Sequence, residues 1–359
     1  MHRLENPLYL EDLDAIIASS CIDWDALEGR TIGISGATGT VGTVLTDVLM
    51  RYRAQGASWQ VVAFGRNEAS ARKRLPYFDE TYAPRGGFSF EQLDISVPGN
   101  VPQSEVDIIC HLASTTHPRA YATQPIATVT SNIIGLSNLA EAVPAMEREN
   151  SLLFASSVEI YGENRGDVDA FDEKYCGYID CNTMRAGYPE SKRAGEALCQ
   201  AYAVERGIGV TIPRLPRVYG PTMPATDSKA ISQFVRSAIA GEDIVLKSEG
   251  TQLYSYGYVT DVVTGMLACL TRGARGAAYN VCGSGSDITL RDLAAHLAHL
   301  GGGEVRFELP DAVERAGYST ATKAILDGSK IAHDLGYEPR YDVRSGLERT
   351  VHILRELDA

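Results

Sequence analysis

Apolar positions along the chain follow two alternating periods. Short, β-branched, continuously apolar runs read as strands at 31–35 (TIGIS), 59–64 (WQVVAF), 88–93, 106–112 (VDIICHL), 151–155 and 209–214. Between them, apolar residues recur at helical spacing over 41–53, 69–75, 128–143 and 186–206. Apolar strands separated by helices predict an α/β fold with a Rossmann-type, doubly wound parallel sheet. The crevice of such a sheet lies at the carboxyl ends of its strands. Beyond Tyr219 the pattern loosens into a Pro/polar loop. Helices over 230–240, 259–270, 290–300 and 346–357, and short strands at 244–247, 278–281 and 306–309, predict a smaller, partly interleaved C-terminal α/β part. Ahead of the first strand, Leu10, Leu13, Ile16 and Ile17 mark a helix expected to cover an edge of the sheet.

Three motifs fall at predicted strand ends. Gly36, Gly39 and Gly42, in TIGISGATGTVG, have the GxxGxxG spacing of a strand-turn-helix that binds a pyrophosphate. Gly36 allows the tight turn, Gly39 the approach of backbone to phosphate, and Gly42 the packing of helix on sheet. The helix start then offers free N–H groups to the anion. Tyr188 and Lys192, in YPESK, share one helix face at i and i+4. An ordinary phenol is a poor base near neutrality, and an adjacent ammonium would stabilise its phenolate. Ser157 and Glu159, in SSVEIYG, supply a hydroxyl that can share the proton of Tyr188 and a carboxylate for a neighbouring carbon. At the end of the second strand stand Gly65 and Arg66 rather than an acid, so nothing repels a 2′-phosphate. Arg66 can pair with one, which tilts the expected cofactor from NAD to NADP.

Composition narrows the field further. A net charge of −13 without a basic block argues against nucleic acid as partner. No apolar run reaches the ~20 residues of a membrane span. The N-terminus carries Glu5, Glu11, Asp12 and Asp14 and lacks a signal-peptide pattern. Seven scattered cysteines suit free thiols in a reducing cytoplasm. Cys176 and Cys181 have no second pair, and no metal site is expected.

GATGTVG, SSVEIYG, YPESK and RLPRVYGP, in this order and spacing, resemble the extended short-chain dehydrogenase/reductases, nearest the NAD-dependent epimerase/dehydratase family acting on nucleotide sugars. The resemblance spans roughly residues 27–300. It implies a Ser157–Tyr188–Lys192 triad with Glu159 as an additional catalytic group. It also implies a cofactor site of Gly36, Thr38, Gly39, Thr40, Val41, Gly42, Arg66, Asp94, Ile95, Leu112, Ala113, Ser114, Asn132, Tyr188, Lys192, Leu215 and Pro216. Ser114, Ser157, Arg217, Gln233 and Tyr254 would contact substrate. The implied division is a helical extension at 1–30, an NAD(P)-binding domain at 31–215 rejoined by 255–282, and a mainly substrate-binding domain at 216–359. A cytoplasmic homodimer is implied, pairing the helices 128–143 and 186–206.

By the same resemblance, Tyr188 takes the proton of a sugar hydroxyl, commonly at C4, while hydride passes to the nicotinamide. The 4-keto sugar then opens three outcomes: return of hydride to the other face, elimination of water, or loss of a carboxylate. Glu159 favours chemistry beyond plain epimerisation. Two positions depart from the family pattern. Val158 stands where dehydratases carry an acid, and Tyr254 where decarboxylases carry an arginine. Arg217, in place of the usual Asn, is expected to supply that charge. The alternative is an NADPH-dependent reductase of a small carbonyl compound using the same Tyr188 and Lys192. The stretch Cys176–Met184 is an apparent insertion expected to close on substrate through Tyr178 and Asp180.

Overall fold

The computed structural model describes residues 1–83, 86–114, 116, 123–144, 151–308 and 321–358. In chain order its helices are α1 (Pro7–Ile17), α2 (Thr40–Ala54), α3 (Glu68–Arg74), α4 (Pro125–Ala140), α5 (Gly187–Arg206), α6 (Ala230–Ala240), α7 (Val259–Arg272), α8 (Leu290–Gly301), α9 (Ser329–Leu335) and α10 (Val343–Asp358). Its strands are β1 (Thr31–Ser35), β2 (Gln60–Gly65), β3 (Phe88–Gln92), β4 (Ile108–His111), β5 (Leu152–Phe154), β6 (Ser156–Ser157), β7 (Val210–Leu215), β8 (Arg217–Tyr219), β9 (Ile244–Leu246), β10 (Leu253–Tyr258), β11 (Ala278–Asn280), β12 (Asp287–Thr289), β13 (Val305–Phe307) and β14 (Lys323–Ala324). The tail strand expected at 306–309 is β13, and Leu309 with the linker after it lies outside the described residues.

The large sheet runs β11-β7-β5-β4-β1-β2-β3, with β6 also paired to β7, and its strand pairs are parallel. This is the doubly wound order, reversing between β1 and β4. Its inner strands are apolar on both faces because both are covered, whereas the edge strand β3 (FSFEQ) is only partly buried. Val61 and Ala63 join the core under α2 and α7, whereas Val62 and Phe64 join the core under α4 and α5. On α5, Tyr188, Ser191, Lys192, Gly195 and Cys199 form the buried stripe. A Cβ on Gly195 would overlap the ring of Phe154 in β5, so this glycine lets α5 approach the strand.

A second sheet, β12-β10-β14 with β8 on β10, packs with α6, α8 and α10 around a separate core, and β9 pairs β13 beside it. The large sheet's edges are β3 and β11. The N-terminal helix does not cover either: α1 packs on α2 and α7, outside the helical layer. Its stripe of Tyr9, Leu13 and Ile16 matches the grooves of helices rather than a strand edge.

Candidate active site

The turn after β1 has Gly36 at φ +76°, a left-handed conformation in which a Cβ would stand 2.7 Å from the Ala113 amide. A Cβ on Gly42 would overlap the Gly36 carbonyl oxygen, so this glycine seals the helix onto its own turn rather than onto the sheet. Gly39 is the N-cap of α2 and provides no side-chain cap, while exposed Thr38 and half-buried Thr40 and Val41 complete the turn. Opposite, Leu112, Ala113 and Ser114 follow β4. Two buried oxygens near these strand ends have no hydrogen-bond partner among the described residues: Ser114 Oγ and Asn132 Oδ1. Asn132 spends its amide nitrogen on Thr128 O (3.1 Å) and Ser191 Oγ (2.9 Å). A tight glycine turn, an uncapped helix start and unspent acceptors fit a dinucleotide with its phosphates at α2.

Arg66 is exposed after β2 and faces Asp94, whose carboxyl is lowered chiefly by its hydrogen bond from the Ser96 hydroxyl (2.6 Å). Ile95 is buried against Gly135 of α4. His111, at the end of β4, joins β1 to α4 through Ser35 Oγ (2.7 Å) and Ser131 O (3.2 Å). Burial, aided by Lys192, drops its pKa to about 3, so the ring is neutral.

Around Tyr188 the described side chains form a ring of polar groups. Ser157 ends β6, the Leu215 it pairs with ends β7, and Pro216 follows. The Ser157 hydroxyl hydrogen-bonds the Tyr188 phenol and also accepts from Glu159 N (3.2 Å). Both oxygens of Glu159 accept from Arg185 Nη2 at 2.7 Å. Arg217 lies with its guanidinium 3.8 Å from the ring centroid of Tyr254, whose hydroxyl donates to Ala321 O (2.7 Å). The Tyr188 phenol is pushed up by burial first and then by Glu159, against the lowering effects of Ser157, Arg185 and Arg217. Ser157, Glu159, Tyr188, Arg217 and Tyr254 therefore act on one phenol or on each other.

Two expected residues behave differently. Lys192 is drawn toward β5, where its ammonium donates to Ala155 O (2.7 Å) and lies over the Phe154 ring (4.6 Å). Burial lowers its pKa to about 7. Gln233 is exposed and donates to Ser228 O (2.7 Å), without a described contact to Tyr188. Arg185 was not singled out in the sequence, since nothing local marks a partner 26 residues away. The 176–184 stretch is tied down at its start, where Gly177 N donates to Tyr161 O and Glu163 N to Tyr178 O. The Arg165 guanidinium lies over the Tyr178 ring (5.3 Å) and Asp180 accepts from Asn182 N, and both side chains are exposed. Cys176 and Cys181 are exposed and free, and no metal-binding cluster occurs among the described residues. No described helix is long and apolar enough to cross a membrane.

A model of the NAD dependent epimerase/dehydratase family matches residues 32–282. UDP-glucuronic acid decarboxylase 1 of Xenopus tropicalis is 32% identical over 334 residues, covering 91% of this chain and 72% of the relative. UDP-glucuronic acid decarboxylase 6 of Arabidopsis thaliana is 30% identical, covering 88% and 85%. Among solved structures, UDP-glucuronic acid 4-epimerase of Bacillus cereus, in complex with UDP-glucuronic acid and NAD, superposes with a TM-score of 0.73 at 21% identity, covering 91% and 99%. dTDP-glucose 4,6-dehydratase of Streptomyces venezuelae, bound to NAD, gives 0.72 at 23%, covering 91% and 97%. The chain belongs to the NAD dependent epimerase/dehydratase family and is an enzyme of the extended short-chain dehydrogenase/reductase type.

Proposed function

We propose that the chain decarboxylates a nucleotide-linked uronate, with UDP-glucuronate as the substrate to try first, through a 4-keto sugar. The observation that carries this reading is the ring around Tyr188: a hydroxyl from Ser157, a carboxylate from Glu159 and two guanidiniums from Arg185 and Arg217. Ser157 and Tyr188 form the route by which the sugar hydroxyl loses its proton. The bound nicotinamide supplies the hydride acceptor and donor. With a ketone at C4, the C5 carboxylate is that of a β-keto acid: its bond to C5 breaks, carbon dioxide leaves, the electron pair passes to the C4 oxygen as an enolate, and a proton from water at C5 restores the ketone. No acid is needed at a leaving hydroxyl. Elimination of water needs such an acid, and buried Val158 occupies the place for it. Arg217, stacked on Tyr254, gives a cation for an anionic group of the substrate. The relatives named decarboxylases support the same choice.

The remaining roles follow from the strand ends. Gly36, Gly39, Gly42 and the first residues of α2 hold the pyrophosphate, Asp94 and Ile95 the adenine end, and Leu112–Ser114, Asn132, Lys192, Leu215 and Pro216 the nicotinamide half. Arg66 faces a 2′-phosphate, which favours NADP. The part at 31–215 with 255–282 carries the dinucleotide, and 216–359 carries most of the sugar-nucleotide site. Exposed Ile126 on α4 and Val204 on α5 support a homodimer through these helices, and the free cysteines support a cytoplasmic setting.

The test is mass spectrometry of UDP-glucuronate, UDP-glucose, UDP-N-acetylglucosamine and dTDP-glucose incubated with the chain and NAD or NADP. UDP-glucuronate is expected to lose carbon dioxide, at lower half-saturation with NADP. Loss of water, an unchanged mass with shifted retention, or no change in any sugar would each overturn decarboxylation.

A further inference from the structure

Glu196 lies one turn beyond Lys192 and two beyond Tyr188, on the same face of α5. Its Oε1 accepts from the Ser156 hydroxyl and from Arg214 Nε (3.0 Å), and its Oε2 from Arg214 Nη2 (2.7 Å). Ser156 and Arg214 are register partners in the β6–β7 ladder, and the next pair along is Ser157 with Leu215. The Glu196 and Arg214 side chains are only 14% and 11% exposed. Arg214 spends its remaining nitrogen on Tyr161 Oη (2.9 Å) and Glu173 O (2.8 Å).

We propose that Glu196 is a positioning residue that clamps the strand ends bearing Ser157 and Leu215 to the helix bearing Tyr188 and Lys192. The inference rests on the roles assigned above to those four residues. A single carboxylate spans both strands immediately before the reacting group, where a shift of about 1 Å costs about 100-fold in rate. It also supplies charge. Lys192 faces neutral His111 on β4, the Ala155 carbonyl and Phe154 ring of β5, and Cys199 and Glu196 on its own helix. Among these Glu196 and Cys199 favour the ammonium, and burial opposes it.

Removing Glu196 alone would strand the Arg214 charge and threaten folding. The test therefore compares E196Q with the charge-balanced double variant E196Q/R214Q. Circular dichroism and urea unfolding establish that the double variant folds. On UDP-glucuronate it is expected to lose about 100-fold in kcat with KM within about three-fold, because the defect lies in alignment rather than affinity. In E196Q, where Arg214 keeps its charge, Lys192 should deprotonate at lower pH, moving the basic limb of the kcat profile down. A folded double variant with parental kcat, or an E196Q with a parental pH profile, would overturn the proposal and leave the pair a brace of the fold. An inert parent chain would sink the substrate reading instead, and NAD affinity by calorimetry then decides. A roughly ten-fold weaker NAD in E196Q/R214Q supports the clamp, and an unchanged affinity overturns it.

Discussion

The Tyr188 phenol sits between opposed fields. Burial and the Glu159 carboxylate raise its pKa, and the Ser157 hydrogen bond and two guanidiniums lower it. Removing the negative charge of Glu159 must therefore lower it. In E159Q the limb of kcat/KM that rises with pH should move to lower pH, whatever happens to the height of the profile. A limb that stays in place would mean that the phenol does not sense Glu159. Lys192 gives the second prediction at this scale. Its folded pKa of about 7 lies below the ordinary 10.5, so between these values the unfolded chain holds a proton that the folded chain has lost. The penalty is full below pH 7 and relieved as pH rises toward 10.5. K192M should stabilise the fold by roughly 2–4 kcal/mol near pH ~6, with the gain vanishing near pH ~10. Urea unfolding at several pH values reads it, and a pH-independent difference would contradict it.

At the scale of elements, the reaction depends on how closely α5 lies to β5. Gly195 sets that spacing, because a Cβ there meets the buried ring of Phe154 rather than a mobile side-chain tip. G195A should cost about 1–3 kcal/mol and lower kcat with little change in KM, since the helix must back away and carry Tyr188 with it. Parental stability together with parental kcat would refute this spacing argument. The large sheet was legible in the sequence because strands buried on both faces leave continuous apolar runs between turns. The second sheet was not. Its strand Leu253–Tyr258 reads LYSYGY, and Lys323–Ala324 is two residues long, too short for any period. The motif residues Ser157, Glu159 and Tyr188 were legible because each sits in a local pattern. Arg185 and Glu196 act through partners 18 to 40 residues away, and only folding brings those together.

For the whole molecule, the segment before β1 acts as a tie rather than a cover. Buried Asp47 of α2 accepts from Arg3, Tyr9 and Tyr77, fixing the N-terminus to the large-sheet side. Asp12 of α1 reaches the other way. It accepts from Tyr258 Oη at the end of β10 (2.6 Å) and from Tyr341 Oη (2.9 Å), and pairs with Arg349 of α10 (2.7 Å). One carboxylate, 1% exposed, thus joins α1 to the second sheet and to the last helix. The neighbouring pair of Asp14 with Arg51 has equally short contacts, 2.6 and 2.7 Å, but its side chains are 49% and 29% exposed. Geometry alone would rank the two alike, and burial separates them. D12A leaves two phenols and a guanidinium short of a buried partner and should cost about 3 kcal/mol. D14A exchanges a solvated contact for water and should stay within about 0.5 kcal/mol. Urea midpoints of the two variants, measured side by side, decide the matter. Equal losses would mean that the N-terminal helix is held by its apolar stripe, with Asp12 contributing no more than a surface charge.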